Sequence, residues 1–331
     1  MQPTQTQVHI DRWLTDMAIA WQQDPNAFIA HKVFPVVPVN NRSDDYYIYE
    51  KGFFYRDEMA PRPMGGRAKQ VGYEAETGHY VCEEEALEAS VDDRERENAD
   101  QPLDPEVSKT RLLYTQAMIH RDRVWTQEYF TTGKWTINWE GVEKGSEAKE
   151  EEEKFLQFDQ TGSEPIEFFD QRGLDIMSKT GYKPNIIVLG ADTYRVLKNH
   201  PAVVERIKYT QRGIVTAEIL AELFDVEQVL VPLGVYNSAQ EGSADNINFI
   251  VNRKAALMVY AAPAPTITDP SGGYSFAWTK LLPGVNNAFG GVIERGREEL
   301  AHTDVFQVRT AYTMGITAPD LGEFFNACVT S

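Results

Sequence analysis

Few residues of this sequence have the types and spacing that catalysis or cofactor binding requires. The segment NIIVLGADTYR, residues 185–195, has the strand, glycine and helix order at which nucleotide phosphates bind. It holds a single glycine, and neither GxGxxG nor GKS/T is present there. The chain also lacks a GxSxG nucleophile elbow and an HExxH zinc motif. Its histidines are dispersed, at His9, His31, His79, His120, His200 and His302.

Acidic side chains leave one possibility open. Asp and Glu are abundant, so a carboxylate pair could lie in a cleft, but the sequence does not locate one. The charged run EKGSEAKEEEEK, residues 143–154, could bind a cation, yet adjacent glutamates cannot converge on one ion, which favours a solvated loop. We therefore predict no catalytic, cofactor-binding or metal-binding residue, no cofactor, and a protein that is not an enzyme.

The cysteines and the apolar residues indicate the compartment. Cys82 and Cys328 have no CxxC or Cys/His spacing, which predicts two buried thiols in a reducing compartment. No window approaches about 18 consecutive apolar residues, so we expect no membrane span. The start, MQPTQTQVHIDRW, lacks the basic and apolar parts of a secretion signal. We expect a protein that stays in the cytoplasm where it is made, or leaves when the cell breaks.

The charge balance argues against nucleic-acid binding. Lys and Arg total 32 against 50 Asp and Glu, a net charge of -18, whereas affinity for DNA or RNA comes from basic residues that neutralise phosphates. The nearest basic cluster is Arg206, Lys208 and Arg212. We predict that these residues pair with acidic groups of a neighbouring molecule, which fixes register more than it adds affinity. A plain surface is the alternative.

The first third of the chain predicts projecting elements. Residues 9–21 have apolar side chains at helical spacing, which predicts a short amphipathic helix. The proline-broken run that starts at Phe28 predicts an extended arm outside helices and sheet interiors. Residues 45–56 and 72–85 predict the strands of a long hairpin, with a flexible tip at Gly65 and Gly66.

The predicted hairpin has more aromatic residues than one internal core would normally cover. They lie on both of its faces, at Tyr46, Tyr47, Tyr49, Phe53, Phe54 and Tyr55. An isolated hairpin is marginally stable in water, so a further layer must cover it. The cover is either the rest of this chain or another molecule.

The remaining elements predict an α+β fold. The segment from Asp104 to Gly133 predicts one long helix, with Asp104 as N-cap and Pro105 at the first position. Its ~26 residues would span ~40 Å. From Pro165 onward, helices alternate with short apolar strands, which predicts a mixed sheet flanked by helices. Residues from Gly291 to the C-terminus return to strands near the long helix.

Five blocks of sequence, in order, resemble a major capsid protein of a tailed bacteriophage. The resemblance runs from about residue 8 to 328, and the blocks are FIAHKVFPVVPV, YEKGFFYRDEMAPR, DQPLDP, TGYKPNIIVLGADTYRVLKNHP and KYTQRGIVTAEILAELFDVEQVLV. It implies a Hong Kong 97-like fold, in which the arm and hairpin lie on adjacent subunits. The implied parts are an N-terminal arm (1–42), an E loop hairpin (43–85), a peripheral domain around a spine helix (86–164 and 300–331) and an axial domain (165–299).

The resemblance also implies a function and partners. Copies of the chain would assemble as hexamers and pentamers into an icosahedral head, enclosing double-stranded DNA without binding it specifically. The arm begins almost at once, so we expect either a separate scaffolding protein or a chain already in its mature form. A portal protein, a possible decoration protein and a location in the virion are also implied. Some relatives form Lys–Asn crosslinks; Lys51 and Lys69 lie on the hairpin, but no partner is identifiable.

Two alternatives stay open at this point. One is an encapsulin-like nanocompartment, which shares the fold but encloses an enzyme, and the other is an unidentified cytoplasmic α/β hydrolase. For the capsid function, we predict contacts between subunits at aromatic and basic residues, namely Trp13, Phe34, Tyr47, Phe53, Phe54, Arg56, Arg206, Lys208 and Arg212.

Overall fold

The described residues form an α+β fold, with two six-stranded sheets, two two-stranded ribbons and helices packed on the sheets. The computed structural model describes residues 9–10, 28–49, 52, 55–62, 64–72, 75–98, 104–208, 215–264, 269–281 and 291–330. The helices are α1 (Ala30–Val33), α2 (Asp93–Glu97), α3 (Pro105–Tyr129), α4 (Pro165–Thr180), α5 (Ala191–Lys198), α6 (Pro201–Ile207) and α7 (Ala217–Leu223), with short 3-10 turns at Glu150–Glu152 and Pro319–Leu321.

The strands follow the chain in this order: β1 (His9–Ile10), β2 (Val36–Val39), β3 (Ser43–Tyr49), β4 (Ala75–Val81), β5 (Glu83–Asp92), β6 (Ile137–Val142), β7 (Lys154–Leu156), β8 (Ile186–Leu189), β9 (Gln228–Leu230), β10 (Val235–Asn237), β11 (Ile247–Phe249), β12 (Ala256–Val259), β13 (Gly273–Trp278), β14 (Gly291–Glu298), β15 (Thr303–Ile316) and β16 (Gly322–Asn326). Sheet I has the order β1-β14-β15-β13-β2, with β5 also paired to β15. Sheet II has the order β7-β6-β16-β12-β8-β9, and the ribbons are β3–β4 and β10–β11.

The long helix α3 forms as predicted and supports both sheets. The Asp104 carboxylate accepts hydrogen bonds from the amides of Glu106, at 2.9 Å, and Val107, at 3.3 Å, which satisfies two amides of the first turn. Leu113 and Met118 pack with Phe306 of sheet I. Further along α3, Trp125 packs among residues of sheet II. Because one helix contacts both sheets, it fixes their relative position.

Sheet II is buried on both faces. Its central strands are runs of consecutive apolar residues, which is the pattern expected for strands of this kind. One face packs against α4, α6 and α7 through an aromatic cluster that includes Phe155, Phe169 and Phe325. The other face packs against α3 and the segment around α1. The first helix of the part predicted from Pro165 onward begins at that residue and ends at Thr180, and the flanked mixed sheet is confirmed.

Two predictions near the N-terminus need correction. His9 and Ile10 form a short strand on β14 instead of opening a helix; the rest of the predicted helix, with Trp13, lies outside the described residues. The arm from Phe28 is not simply extended, because it contains the helical turn α1 and then β2. The first proline of the run comes after α1, and Pro38 lies in β2 at the edge of sheet I, where a missing amide is tolerated.

Sheet II combines strands that are distant in sequence. Residues 137–156 supply β6 and β7, residues 186–259 supply β8, β9 and β12, and β16 comes from the C-terminal part. The predicted start of the axial domain at residue 165 therefore falls between strands of one sheet. The predicted domain limits stay predictions.

Candidate assembly surfaces

One serine–histidine pair has the distance of a catalytic dyad but the wrong proton arrangement. Ser163 Oγ lies 3.0 Å from His200 Nε2, and both residues are buried beside a cleft at the start of α6. His200 is the N-cap of α6, and its Nδ1 accepts the Ala202 amide proton at 3.2 Å. In the neutral ring, the proton must then be on Nε2, which donates to Ser163 Oγ. A general base at His200 would have to accept the hydroxyl proton of Ser163. Because Nε2 donates instead, this pair is structural.

The cysteines are not nucleophiles in this environment. Both are free and buried, as predicted. Burial raises the pKa of the Cys82 thiol to about 11 and raises the pKa of Cys328 further, so both stay protonated at neutral pH. Among the described residues, no cluster of three or more His, Cys, Asp or Glu side chains could hold a metal ion. No helix in the described part of the chain is long and apolar enough to cross a membrane.

The base of the arm is buried inside its own chain. Phe34 is 0% exposed and packs against Tyr129, with ring centroids 4.9 Å apart, and against Trp125 at 6.2 Å. A Cβ at Gly273 would overlap the Phe34 ring, so glycine is required there. The prediction that Phe34 contacts another subunit is wrong, because its ring fills the core between α3 and β13.

A buried carboxylate on α3 holds this arm base in place. Asp122 accepts the amide protons of Ile29, at 2.9 Å, and Ala30, at 3.1 Å, which are the amides at the start of α1. Burial raises the pKa of Asp122 to about 6, against the effect of these two hydrogen bonds. The neighbouring Arg121 is buried too, and donates to Ser275 Oγ at 2.9 Å. The chain at Ile29 and Ala30 is therefore fixed to α3.

The base of the hairpin also packs on its own chain. The ring of Tyr80 stacks on Phe276 of β13, with centroids 4.9 Å apart, and Tyr46 lies 5.2 Å from the same ring. At Gly78, a Cβ would lie 2.5 Å from Tyr46 Cζ, so glycine allows this ring to lie across the ribbon. The predicted hairpin is present as β3–β4, paired from Ser43 with Val81 to Tyr49 with Ala75. Its strands are shorter than the predicted 45–56 and 72–85, because residues 55–56 are in a bend and residues 83–85 belong to β5. Part of its aromatic cover thus comes from its own chain.

The described tip of the hairpin, which we define as residues 55–62 and 64–72, is largely exposed. Met59 is 93% exposed, and Met64 and Val71 are exposed as well. Before the tip turns, the Tyr55 hydroxyl donates to the carbonyl oxygen of Thr180 at the end of α4. The described tip contains no helix or strand. This part of the hairpin could contact another molecule without unfolding.

The predicted contact residues are distributed over several places. Arg56 lies in the tip, 3.9 Å from the Glu58 carboxylate. Arg206 and Lys208 lie at the exposed C-terminal end of α6. Near them, a hydrogen bond with Glu164 raises the pKa of Glu167, and the charge of Arg206 opposes that rise. The side chains of Tyr47, Phe53, Phe54, Arg212 and Trp13 lie outside the described residues. Contacts of these residues with another subunit stay predictions.

One exposed surface was missed at the sequence level, namely the outer edge of β5. This strand pairs with β15 from Glu83–Tyr312 to Asp92–Thr303. Since Tyr312 also pairs with Ala277 of β13, β5 and β13 flank opposite edges of β15. No other described strand pairs with β5. Leu87, Ala89 and Val91 alternate with other residues, and this period of two is the signal that predicts the strand. The run of glutamates before them instead favoured a prediction in which the second hairpin strand ends at Glu85.

Comparisons with known proteins identify relatives over nearly the whole chain, although no family model matches. The chain is 28% identical over 312 residues to the major capsid protein of Burkholderia phage BcepMu, covering 93% of this chain and 94% of that protein. It is 24% identical over 324 residues to the major capsid protein of Pseudomonas phage JBD67, covering 97% of each.

Solved structures show the same fold. A crystal structure of a phage-related protein from Bordetella bronchiseptica RB50 has a TM-score of 0.72 at 20% identity, covering 98% of this chain and 99% of that one. The capsid structure of Cyanophage P-SCSP1u has a TM-score of 0.55 at 9% identity, covering 92% of this chain and 89% of that one. The resemblance to phage major capsid proteins and the Hong Kong 97-like α+β fold are confirmed. The two relatives are capsid proteins, which are structural proteins and not enzymes, so the comparisons favour the capsid prediction over the hydrolase alternative.

Proposed function

We propose that this chain, a relative of phage major capsid proteins with a Hong Kong 97-like fold, is the main subunit of a phage head. Its copies assemble as hexamers and pentamers into an icosahedral shell around double-stranded DNA. The observation that carries the proposal is the similarity to two major capsid proteins over 93% and 97% of this chain. Coverage of this extent includes the arm base, the hairpin and both sheets, which are the parts that a shell subunit would use.

The surface chemistry supports a shell that does not bind its contents. The net charge of -18 opposes the phosphate neutralisation that DNA binding requires, so packaged DNA would slide past the wall. Obligate interfaces of this class bury upwards of ~2,000 Å². The exposed hairpin tip is the described segment best suited to such an interface, since its apolar side chains are uncovered in the single chain. A scaffolding protein and a portal protein would take part, with a decoration protein as an optional further partner, and assembly would occur in the host cytoplasm.

The test is assembly of the purified chain. Size-exclusion chromatography and negative-stain electron microscopy should show closed shells, or hexamers and pentamers, whose fraction rises with protein concentration. A monomer or dimer that persists at millimolar concentration, also with scaffolding protein added, would contradict the proposal. The encapsulin-like alternative makes a different prediction for particles isolated from cells: they would contain a cargo enzyme, whereas phage heads contain double-stranded DNA that resists nuclease until the shell is opened.

A further inference from the structure

We propose that Ser43, His79 and Asp45 form a nucleophilic triad at the hairpin base, which transfers short acyl groups from esters to Ser43 and then to water. The site is additional to the proposed function, and it needs no second copy of the chain. His79 Nδ1 lies 2.7 Å from Asp45 Oδ1, and His79 Nε2 lies 3.1 Å from Ser43 Oγ. Since these residues are 34 and 36 positions apart, no local motif in the sequence predicts the site.

The register of the β3–β4 ribbon brings the three side chains together on one face. Asp45 is directly opposite His79, and Ser43 is diagonal to His79 across the ribbon. The Cys82 amide donates to the Arg42 carbonyl, which makes Asp45 and His79 a non-hydrogen-bonded pair, the kind in which opposite side chains are closest. The diagonal distance is one that a ring side chain can span. The contacts therefore follow from strand pairing.

The hydrogen-bonding pattern is the one that nucleophilic catalysis requires. A carboxylate only accepts hydrogen bonds, so the contact with Asp45 places the proton of a neutral His79 ring on Nδ1. Nε2 is then an acceptor, and the Ser43 hydroxyl donates to it. Ser163 and His200 show the reverse, because Nδ1 of His200 accepts an amide proton and its Nε2 must donate. His79 can therefore take the hydroxyl proton of Ser43 as a general base.

The opposite face of the ribbon holds the triad in place. Tyr46 and Tyr80 lie on that face, and both rings pack on Phe276 of β13. Side chains on packed strands keep their geometry better than side chains on loops. Ser43 and His79 are themselves exposed, so a substrate can reach them without a change in the fold.

The surroundings of Ser43 indicate the class of substrate. In a non-hydrogen-bonded pair the Ser43 amide points away from β4, and no other described strand pairs with β3. This amide can donate to the oxyanion that forms when Ser43 attacks a carbonyl carbon. Val81, directly opposite Ser43, is 43% exposed and offers an apolar contact to a short acyl group. Asp44 and Asp45 would repel negatively charged esters, which favours neutral ones.

The reaction balances with water as the second reactant. His79 Nε2 takes the hydroxyl proton of Ser43 while Oγ bonds to the carbonyl carbon of the ester. The imidazolium gives this proton to the leaving alkoxide as the ester carbon–oxygen bond breaks, and the acyl group stays on Ser43. Water, deprotonated by His79, then attacks the acyl carbon and releases a carboxylic acid, and Ser43 recovers its proton. Asp45 acts through His79 and is a positioning residue.

Labelling of the purified chain with a fluorophosphonate probe tests the nucleophile. The probe forms a phosphorus–oxygen bond to a reactive serine and releases fluoride, and peptide mass spectrometry identifies the serine. Because a general base contributes roughly 10²–10⁴-fold, Ser43 should react at least about tenfold faster than Ser243, which is exposed and has no histidine partner among the described residues. His79→Gln should slow the labelling of Ser43 about 100-fold. The control His120→Gln removes an exposed histidine that contacts a glutamate but no serine, and should not change it.

Two further measurements test the positioning role of Asp45 and the turnover. Nitrogen-15 NMR of dissociated subunits should show the ring proton of His79 on Nδ1. Asp45→Asn should move this proton to Nε2, because the new amide can donate to Nδ1, and should slow labelling of Ser43 at least about tenfold. With 4-nitrophenyl acetate, mass spectrometry should find the acetyl group on Ser43. Labelling of Ser43 no faster than that of Ser243, or an equal rate in His79→Gln, would overturn the proposal.

Discussion

Replacing Asp122 with Asn tests how the arm base is held on α3. The carboxylate accepts two amide protons, from Ile29 and Ala30. The amide that replaces it has one acceptor oxygen, so one buried N–H loses its partner, which costs about 1–3 kcal/mol. The same substitution removes a buried negative charge. At neutral pH these two effects oppose each other, and only the second depends on pH.

The pH dependence can be worked out from the pKa of Asp122. Burial raises this pKa from an ordinary value of 3.8 to about 6, so the folded chain binds the proton more tightly than the unfolded chain. The resulting stabilisation is complete below pH 3.8 and is lost as the pH rises through 6. Between pH 7 and pH 5, the unmodified chain should therefore gain about 1.3 kcal/mol relative to Asp122→Asn. Burial also lowers the pKa of His31 to about 4, but that histidine is present in both proteins.

The assay is urea unfolding of dissociated subunits, followed by tryptophan fluorescence at pH 7 and pH 5. With a slope of ~3 kcal/mol/M, the difference between the two midpoints should change by about 0.4 M between the two pH values. The control Glu241→Gln makes the same chemical change at an exposed site. Its urea midpoint should equal that of the unmodified chain at both pH values. Parallel pH dependence of Asp122→Asn and the unmodified chain would refute the assignment of Asp122 as a buried carboxylate that titrates near pH 6.

Three further substitutions test other parts of the structure. Phe276→Ala removes the ring between Tyr46 and Tyr80; it should cost about 3–5 kcal/mol and accelerate tryptic cleavage after Arg42, and unchanged cleavage would contradict the packing of the hairpin base. Although burial alone would raise the pKa of Asp304, hydrogen bonds from Arg295, Arg96 and Arg297 lower it to about 2. Asp304→Asn should therefore cost about 3–5 kcal/mol at pH 7, and the difference in melting temperature should shrink as the pH falls from 3.8 through 2; a difference as large at pH 2 as at pH 7 would argue against this ion-pair cluster. Ser163→Ala should cost about 1 kcal/mol, and a fluorophosphonate probe should not label Ser163 in the unmodified chain, since labelling would indicate a nucleophile.

The sequence predicted the elements whose signals are local. Asp104 and Pro105 determine where α3 begins, and Pro165 and Gly181 bound α4 in the same way, with Gly181 in the left-handed region at φ 72°. The hairpin followed from β-branched and aromatic density on both sides of a GlyGly pair. In each case the residues that decide the structure lie within a few positions of the element itself.

The sequence could not predict which surfaces are covered by the chain itself. Phe34 has the type and position of an exposed anchor, yet Trp125 and Tyr129 cover it from about ninety residues away. The carboxylate of Asp122, which fixes the arm base, is likewise 93 residues from Ile29. Such pairings depend on how α3 lies against both sheets, and no local pattern encodes that. The β5 edge was missed for a related reason, because its pairing with β15 spans more than 200 residues.

The packing of the arm base and the hairpin base changes how assembly must be understood. From composition alone, the aromatic side chains of the arm and hairpin could have been buried only by neighbouring copies. Folding of the subunit would then depend on assembly. In the structure, Phe34, Tyr80 and Phe276 are all buried within one chain, so both projecting segments have an anchored base. The subunit can then fold before it assembles, and unfolding of the dissociated chain should not depend on concentration. Under the proposed function, assembly would then use the exposed parts of the subunit, and surface substitutions that leave the fold intact should weaken it.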